Sequence, residues 1–247
     1  MAEQKTLKVI LIRHTLSPEE TVALGAKLCY SKSAITDLQQ KISAKDQSNF
    51  IEKLMKMGHE SIFEHASFTF GIEGVSRVLL AQLTRHRIAS YSVQSQRYVS
   101  FENGFGYIVP ERILALGDEA VAEYHQQMET IESWYKSWQK RLGEGEQSNE
   151  DARFVLPNAC ETRIMVTMNV RELYHFFALR MCNRAQWEIR HMAEQMLLLC
   201  LHAAPALFKN AGPACLRGSC PEGEKSCGMA REIREARTAL LSSLMEE

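Results

Sequence analysis

The sequence predicts a protein that combines a few short β-strands with several longer helices. Phe68, Phe70 and Ile72 alternate with small or polar residues, which is typical of a strand with one buried face. Between Glu119 and Arg141, apolar residues instead recur every three or four positions, as they do on one face of a helix. No Gly-x-Gly-x-x-Gly motif follows a strand and no phosphate-loop lysine motif occurs, so the ordinary dinucleotide and NTPase folds are disfavoured.

In the first half of the chain, the apolar patterns predict strands separated by helices. Strands are predicted at Leu7 to Ile12 and Ala66 to Ile72, and helices at Pro18 to Tyr30, near Ile35 to Met57, and from Gly74 onwards. The helix from Gly74 is expected to carry Gln82, Arg85 and His86 on one polar face. A loop rich in Ser and Gln, Ser90 to Arg97, is expected after it.

In the second half, the predicted elements are mainly helices. The stripe on the Glu119 to Arg141 helix is expected to face the core and consists of Tyr124, Met128, Ile131 and Trp134. Arg163 to Met168 is predicted to be a strand, and Asn169 an N-cap with Glu172 in the capping-box position, before two further helices. We expect a single domain over 1–247, in which 210–247 forms a cysteine-containing loop and a closing helix from Met229 to Met245.

Composition favours a globular enzyme-sized protein. The chain has 247 residues, 45% of them hydrophobic, and a formal net charge of −1, so no overall field favours wrapping nucleic acid or lying on a membrane. No apolar run is long enough for a signal peptide or a membrane helix, and we expect a cytoplasmic protein.

The chain has seven cysteines, an odd number that fits reduced thiols better than a disulfide framework. Cys215, Cys220 and Cys227 lie in a loop-like stretch and leave three alternatives open: zinc, reversible oxidation, or thiols with no ligand. Their spacing matches no strong zinc pattern, so no metal site is predicted.

The Arg85–Arg87 segment, Arg-His-Arg, is the strongest candidate for binding an anion. Burying two charged guanidinium groups in a core is unfavourable, and on a helix they would point to nearly opposite sides. They therefore need two partners, or one anion held between this chain and a neighbouring subunit. The alternative is that one arginine pairs with an acid while the other is solvated.

The same segment carries a family resemblance. Arg-His-Arg, seven residues and then Ser95-Gln96-Arg97-Tyr98 resemble the signature of the flavin-dependent thymidylate synthases. Gly58-His59-Glu60-Ser61-Ile62-Phe63-Glu64-His65 upstream and Ala185-Gln186-Trp187-Glu188-Ile189 downstream are similar to that family too. The resemblance implies an α+β subunit with a small antiparallel or mixed sheet and several long helices.

The resemblance also implies a reaction and its participants. The reaction is the reductive methylation of dUMP to dTMP, with methylenetetrahydrofolate as carbon donor and NADPH-reduced FAD as hydride source. The residues implied to hold dUMP are Gln82, Arg85, Ser95, Gln96, Arg97, Arg180 and, from another subunit, Arg153. Arg180 is implied to activate the substrate by stabilising negative charge on the uracil ring, without attack by a cysteine.

The resemblance further implies that the flavin is shared among the subunits of a homotetramer. The residues implied to surround FAD are Ser61, Arg85, His86, Arg87, Asn169, Arg171 and His175. Arg171 and His175 are one helical turn apart, so a single ligand could touch both. His175, beside two phenylalanines, could instead be a core histidine.

The sequence departs from common family patterns at Val93, His175 and Arg184, where many members have Glu, Asn and His. Arg184 could be a second anion contact or the partner of Glu188. Two readings from other classes also stay open: a module that binds single-stranded nucleic acid through its arginines and tyrosines, and a structural protein with a zinc-binding tail.

Overall fold

The computed structural model describes residues 2–143 and 145–246, and internal contacts divide the chain into two compact units. Unit 1 comprises Met1–Val9, Gly71–Arg85 and Tyr91–Val166, and unit 2 comprises Ile10–Phe70, His86–Ser90 and Thr167–Glu247. Each unit is described by itself below, and the single domain over 1–247 stays a prediction.

The strands form two small sheets. They are β1 (Glu3–Gln4), β2 (Lys8–His14), β3 (Ser67–Ser76), β4 (Ala89–Val93), β5 (Gly106–Tyr107) and β6 (Glu161–Asn169). The larger sheet has the order β2-β3-β6-β4, and in the smaller one β1 and β5 pair in parallel, with Glu3 opposite Gly106 and Gln4 opposite Tyr107. Residues on β6 alternate between buried and more accessible, as expected for a strand with one core face.

The helical segments range from 4 to 25 residues in length. They are α1 (Pro18–Leu28), α2 (Ile35–Ser43), α3 (Ser48–Lys56), α4 (Arg77–Leu83), α5 (Glu111–Leu114), α6 (Asp118–Leu142), α7 (Glu146–Ala152), α8 (Val170–Arg180), α9 (Trp187–Ala203), α10 (Pro205–Phe208) and α11 (Ala230–Glu246). Short 3₁₀ turns lie at Ser61–His65, Arg153–Val155, Ala214–Leu216 and Gly223–Lys225. Together with the sheets, these elements confirm the predicted α+β class.

One long helix near Ile35 to Met57 was expected, and this expectation is wrong because the helix is divided into α2 and α3. Gln47 lies between them and is almost fully buried. Its side-chain amide donates to the carbonyls of Ile42 (2.8 Å) and Lys45 (2.7 Å), which satisfies backbone acceptors at the end of α2. A buried capping amide therefore stabilises a break that apolar spacing did not reveal.

The helix expected from Gly74 begins only at Arg77, because β3 continues through Ser76. Gly74 has φ +68°, and a Cβ there would lie 1.8 Å from the backbone oxygen of Thr6. Only glycine therefore fits at this position of the strand. The Ser76 side chain then accepts from the backbone N–H of Leu79 and caps α4.

The Arg85–Arg87 segment lies beyond the end of α4, not on a helix. The Thr84 hydroxyl donates to the carbonyl of Leu80 (3.0 Å), and the Tyr91 hydroxyl donates to that of Leu83 (2.9 Å), so side chains satisfy the final carbonyls of the helix. The argument that helical rotation separates the two arginines does not apply. The segment Ser90 to Arg97, expected to be a loop, begins within β4.

Each unit has its own aromatic core. In unit 1, Phe105, Tyr107, Val109, Met128 and Cys160 form a buried cluster against which Tyr124 and Ile131 pack. The expected α6 stripe is wrong at Trp134, which is 55% exposed, whereas Tyr135 is fully buried. In unit 2, the ring of Phe208 contacts those of Phe68 (5.1 Å) and Phe177 (6.3 Å) edge-on.

After residue 210 the chain forms 3₁₀ turns at Ala214–Leu216 and Gly223–Lys225 and then α11, where a loop and a closing helix were expected, and Glu247 lies outside the described residues. The cysteines at 215, 220 and 227 are free thiols, as are the other four. Across the described ranges, no three His, Cys, Asp or Glu side chains come together in a way that could hold a metal ion. Among those same residues, no helix is both long and apolar enough to cross a membrane.

Candidate active site

Most of the residues predicted to bind dUMP belong to one unit, and most of those predicted to bind FAD belong to the other. Unit 1 contains Gln82, Arg85, Ser95, Gln96, Arg97 and Arg153, and unit 2 contains Ser61, His86, Arg87, Asn169, Arg171, His175 and Arg180. All the implied dUMP residues except Arg180 thus belong to unit 1, and all the implied FAD residues except Arg85 belong to unit 2.

In unit 1, Arg97 and Arg153 both contact Glu150. Arg97 Nε donates to Glu146 Oε1 at 2.6 Å and lies 3.6 Å from Glu150 Oε2, and its guanidinium also packs on the ring of Tyr98. The Nε of Arg153 donates to the backbone carbonyl of Glu150 at 3.1 Å. The fold therefore brings these two predicted dUMP residues together within one chain.

Ser95 and Gln96 are held by short polar contacts. The Ser95 hydroxyl accepts from the backbone N–H of Arg97 at 3.2 Å, and the Gln96 amide donates to the sulfur of Cys160 at 3.4 Å. Burial raises the pKa of the Cys160 thiol to about 11, although neighbouring Arg77 opposes this rise. Cys160 is thus a neutral thiol at physiological pH and a poor nucleophile.

Arg77 belongs to the same region but was missed by sequence analysis. Its Nη2 donates to the carbonyl of Gln94 at 2.8 Å, whereas its Nε is buried and has no hydrogen-bond partner within the described residues. Burial lowers the pKa of Arg77, and the nearby Arg153 cation acts in the same direction. The signal available in the sequence was an arginine between Ser76 and Val78 at the start of an apolar helix.

Arg85 and Arg87 are exposed, whereas His86 between them is only 4% exposed. Neither arginine forms an ion pair with any residue of 2–143 or 145–246, so the alternative in which one of them pairs with an acid of this chain is not seen. Gln82, one turn earlier on α4, donates to the carbonyl of Val78 at 3.5 Å. The exposed guanidinium groups are available to anions from outside the chain.

In unit 2, His86 lies within a buried polar network. Its Nδ1 is 3.1 Å from Glu172 Oε1, and its Nε2 accepts from Arg180 Nε at 3.0 Å. The imidazole also contacts the ring of Phe176 edge-on, with centroids 5.0 Å apart, and lies 5.7 Å from the ring of His175. Two predicted FAD residues and the predicted catalytic arginine are therefore neighbours.

The position of α8 brings this network together. β6 ends at Asn169, whose side chain accepts from the backbone N–H of Glu172 at 2.8 Å, which confirms the predicted N-cap. The carboxylate of Glu172 points to His86, so its main partner is not the cap residue that a capping box would supply. Arg180, the last residue of α8, lies about two helical turns further on and reaches the same imidazole.

Burial perturbs both titrating members of the network. It lowers the pKa of His86 from 6.5 to about 4, with further lowering by the Arg180 and His175 charges. Burial raises the pKa of Glu172, and His175 opposes this rise. His86 is therefore neutral at physiological pH.

The remaining predicted FAD residues of unit 2 are on the surface. Arg171 pairs with Glu64 and lies 3.5 Å from Glu60, next to Ser61 at the start of a 3₁₀ turn. His175 is exposed, so its alternative reading as a core histidine is wrong. Both Arg171 and His175 are accessible to a ligand.

Two of the departures from family patterns can also be placed. Val93 is the final residue of β4 and is half-buried. Arg184 pairs with Glu222 at 3.2 Å and donates to the carbonyl of Lys225 at 3.0 Å, so it contacts the C-terminal loop of unit 2.

Comparison with known proteins assigns the family. Residues 10–206 match the family described as thymidylate synthase complementing protein. The chain is 51% identical over 229 residues to the flavin-dependent thymidylate synthase of Geobacter sulfurreducens, covering 92% of this chain and 97% of that protein. It is 46% identical over 240 residues to that of Clostridium tetani, with coverages of 93% and 96%.

A solved structure agrees with the fold. The UMP/dUMP methylase PolB from Streptomyces cacaoi, bound with 5-Br dUMP, superimposes with a TM-score of 0.69 and covers 84% of this chain and 95% of its own, at 24% identity. At that identity the likeness shows the fold alone. From the family match and the close relatives, the chain belongs to the flavin-dependent thymidylate synthase family, a family of enzymes. This membership disfavours the nucleic-acid-binding and structural readings.

Proposed function

We propose that this protein makes dTMP from dUMP by reductive methylation, with methylenetetrahydrofolate as the carbon donor and NADPH and FAD as the source of the hydride. Family membership supports the overall reaction. The observation that carries the assignment to this chain is Arg180, whose Nε is held by a buried neutral imidazole. A guanidinium fixed in this way can stabilise negative charge on a uracil ring.

The residues of unit 1 suit the anionic nucleotide. Guanidinium groups bind phosphate through paired, charge-assisted hydrogen bonds. We assign dUMP to Gln82, Arg85, Ser95, Gln96, Arg97 and Arg153 together with Arg180, and we add Arg77. The buried Nε of Arg77 is a donor with no partner among the described residues, and burying such a donor is costly unless a ligand accepts from it.

The residues of unit 2 suit FAD, whose pyrophosphate is anionic. The donors that fit it are the exposed side chains of Ser61, Arg85, Arg87, Arg171 and His175, together with Asn169. His86 belongs to the same assigned set, but its one ring proton goes to Glu172, so it would support the site from beneath the surface without donating to FAD. When bound, FAD supplies the hydride that completes the new methyl group. The carboxylates of Glu60 and Glu64 that now neutralise Arg171 are exposed, so an anionic ligand can compete with them for that guanidinium.

The chemistry assigned to the chain itself is electrostatic. Carbon–carbon bond formation at C5 of dUMP develops negative charge around N3 and the adjacent carbonyl, where the Arg180 cation stabilises it. Activation by a cysteine is unnecessary in this scheme. The Cys160 thiol near Gln96 is poorly suited to that role, because burial raises its pKa to about 11.

We further propose a cytoplasmic homotetramer in which Arg153 of one subunit contacts nucleotide bound by another. Because Arg97 and Arg153 of one chain both contact Glu150, Arg97 would reach that nucleotide from the same subunit as Arg153. Sedimentation of the purified protein measures the assembly directly, and mixing inactive Arg153 and Arg180 variants should restore activity if subunits share sites.

Exchange of tritium from C5-labelled dUMP into water tests the proposed function. The purified protein should be yellow and should release tritium only with reduced flavin. A colourless protein that does not take up added FAD, or a flavin-loaded one that never releases tritium, would contradict the proposal.

A further inference from the structure

The network around His86 has a defined direction of hydrogen bonding. The Nε of an arginine is always protonated and can only donate. Because Arg180 Nε lies 3.0 Å from His86 Nε2, that ring nitrogen must carry the lone pair and accept. The proton of the neutral imidazole then lies on Nδ1, from which it is donated to Glu172 Oε1 at 3.1 Å.

Glu172 is well placed to fix this tautomer. It lies in the first turn of α8, where its backbone N–H is held by the Asn169 cap and its negative charge interacts favourably with the helix dipole. Its side chain is buried, as is that of His86, so water competes little for the hydrogen bond between them. The carboxylate accepts only, and it therefore selects the imidazole form whose proton is on Nδ1.

We propose that Glu172 is a positioning residue, which fixes the tautomer of His86 and, through His86, the orientation of the Arg180 guanidinium toward dUMP. This inference rests on the proposed function of Arg180. It also gives His86 a role different from those of the exposed Arg85 and Arg87. The imidazole acts from below the surface, on Arg180, as a neutral acceptor that leaves the positive charge of the guanidinium intact.

The tautomer of His86 matters because the form with its proton on Nε2 cannot accept from Arg180. With the proton on Nε2, His86 and Arg180 would present two donors to each other, and the guanidinium would have to rotate away. Because catalysis by charge stabilisation depends on geometry, a displacement of about 1 Å can cost on the order of 100-fold in rate.

Two substitutions at Glu172 separate tautomer control from simple burial of a charge. Glu172→Gln retains an oxygen acceptor for Nδ1–H, and we expect tritium release within about threefold of wild type. Glu172→Leu has a similar size but no acceptor, and we expect kcat for tritium release to fall roughly 10- to 100-fold while KM for dUMP changes less. If the buried negative charge itself were what matters, Gln would be as harmful as Leu.

Glu132 provides a matched control. It is also 6% exposed, and it lies on α6 in unit 1, where its carboxylate pairs with Lys136. We expect Glu132→Leu to lower the melting temperature. The kcat of the FAD-loaded variant should equal that of wild type. An equal loss of kcat in Glu132→Leu and Glu172→Leu would show a general effect of removing buried carboxylates and would overturn the proposal.

A second pair of variants applies if Glu172→Leu does not fold. His86→Gln can place an amide oxygen near the position of Nε2 and has no tautomers, whereas His86→Leu has no acceptor. We expect the Gln variant to release tritium about tenfold faster than the Leu variant. Equal rates for the two His86 variants would overturn the proposal.

Binding of dUMP, measured by calorimetry on the same variants, separates the two hypotheses. A folded, flavin-loaded wild type that never releases tritium contradicts the proposed function. In that case the positioning role of Glu172 is tested by binding alone. Glu172→Leu should weaken dUMP binding more than Glu172→Gln does, and equal binding by the two variants would reject this role.

Discussion

Arg97 in unit 1 and Arg180 in unit 2 are held in opposite ways, although we assign both to the same nucleotide. Arg97 lies among the exposed carboxylates of Glu146 and Glu150, with about 40% of its side chain accessible. Arg180 instead donates its Nε to His86, which is buried and neutral.

The difference separates binding from activation. An exposed ion pair contributes little to stability, so a phosphate can replace Glu146 at small cost, and Arg97 suits reversible binding. A buried neutral acceptor fixes one edge of the guanidinium without adding a negative charge, which suits a residue that must stabilise charge only as it develops.

The largest expected effect is at Arg180. We predict that Arg180→Ala lowers tritium release at saturating dUMP by about 100-fold or more, because a fixed charge donor is lost. Arg184→Ala is the control, since Arg184 lies four residues further along, in the turn after α8, and pairs with Glu222. Comparable losses in both variants would mean that local positive charge, and not the fixed position of Arg180, matters.

A smaller effect, mainly on binding, is expected at Arg97. We predict that Arg97→Ala raises KM for dUMP about tenfold and changes kcat less, because a charge-assisted hydrogen bond to the nucleotide is lost. Arg112→Ala, an exposed arginine of α5 in the same unit, should leave both constants as in wild type. A fall in kcat with unchanged KM would remove the distinction between the two arginines.

The buried network should give stability a pH dependence. His86 has a pKa of about 4 when folded, compared with 6.5 when unfolded, so the unfolded chain binds the extra proton between these values. The free energy of unfolding should therefore fall as pH is lowered from about 6.5 towards 4, by at most about 1.4 kcal/mol per pH unit for this group. The raised pKa of Glu172 acts in the opposite direction at pH values just above its ordinary pKa of 4.5, so it offsets part of this fall.

His86→Gln isolates the histidine contribution. Denaturant unfolding at a series of pH values should give a flatter curve for the variant than for wild type above pH 5. Parallel curves would show that His86 titrates as an ordinary solvated histidine.

The smallest effect is expected at the exposed acid. We predict that Glu146→Gln changes the melting temperature by no more than about 2 °C, because a surface ion pair is lost. KM for dUMP should fall slightly, since Arg97 no longer has to exchange a carboxylate for phosphate. A large loss of thermal stability would show that Glu146 is structural, contrary to the comparison drawn above.

Local patterns in the sequence were sufficient for much of the fold. The alternation in Phe68, Phe70 and Ile72 and the Asn169 cap were both predicted from residues close together in the chain. The sequence predictions were wrong where a buried or distant group changed the secondary structure that local residues favour. Gln47 divides a helix by capping carbonyls inside the fold, and Gly74 continues a strand because Thr6 approaches it closely.

By itself, the sequence determined the family, because the Arg85–Arg87 segment and Ser95 to Tyr98 form a signature with a fixed spacing of seven residues. It also predicted which residue types would bind the ligands. Only the tertiary structure decided how those residues are held. Glu172 and Arg180 lie 86 and 94 positions from His86 along the chain, and no local pattern specifies such a pairing. The packing of α8 against the segment after α4 brings them together, and burial then determines which of them is charged.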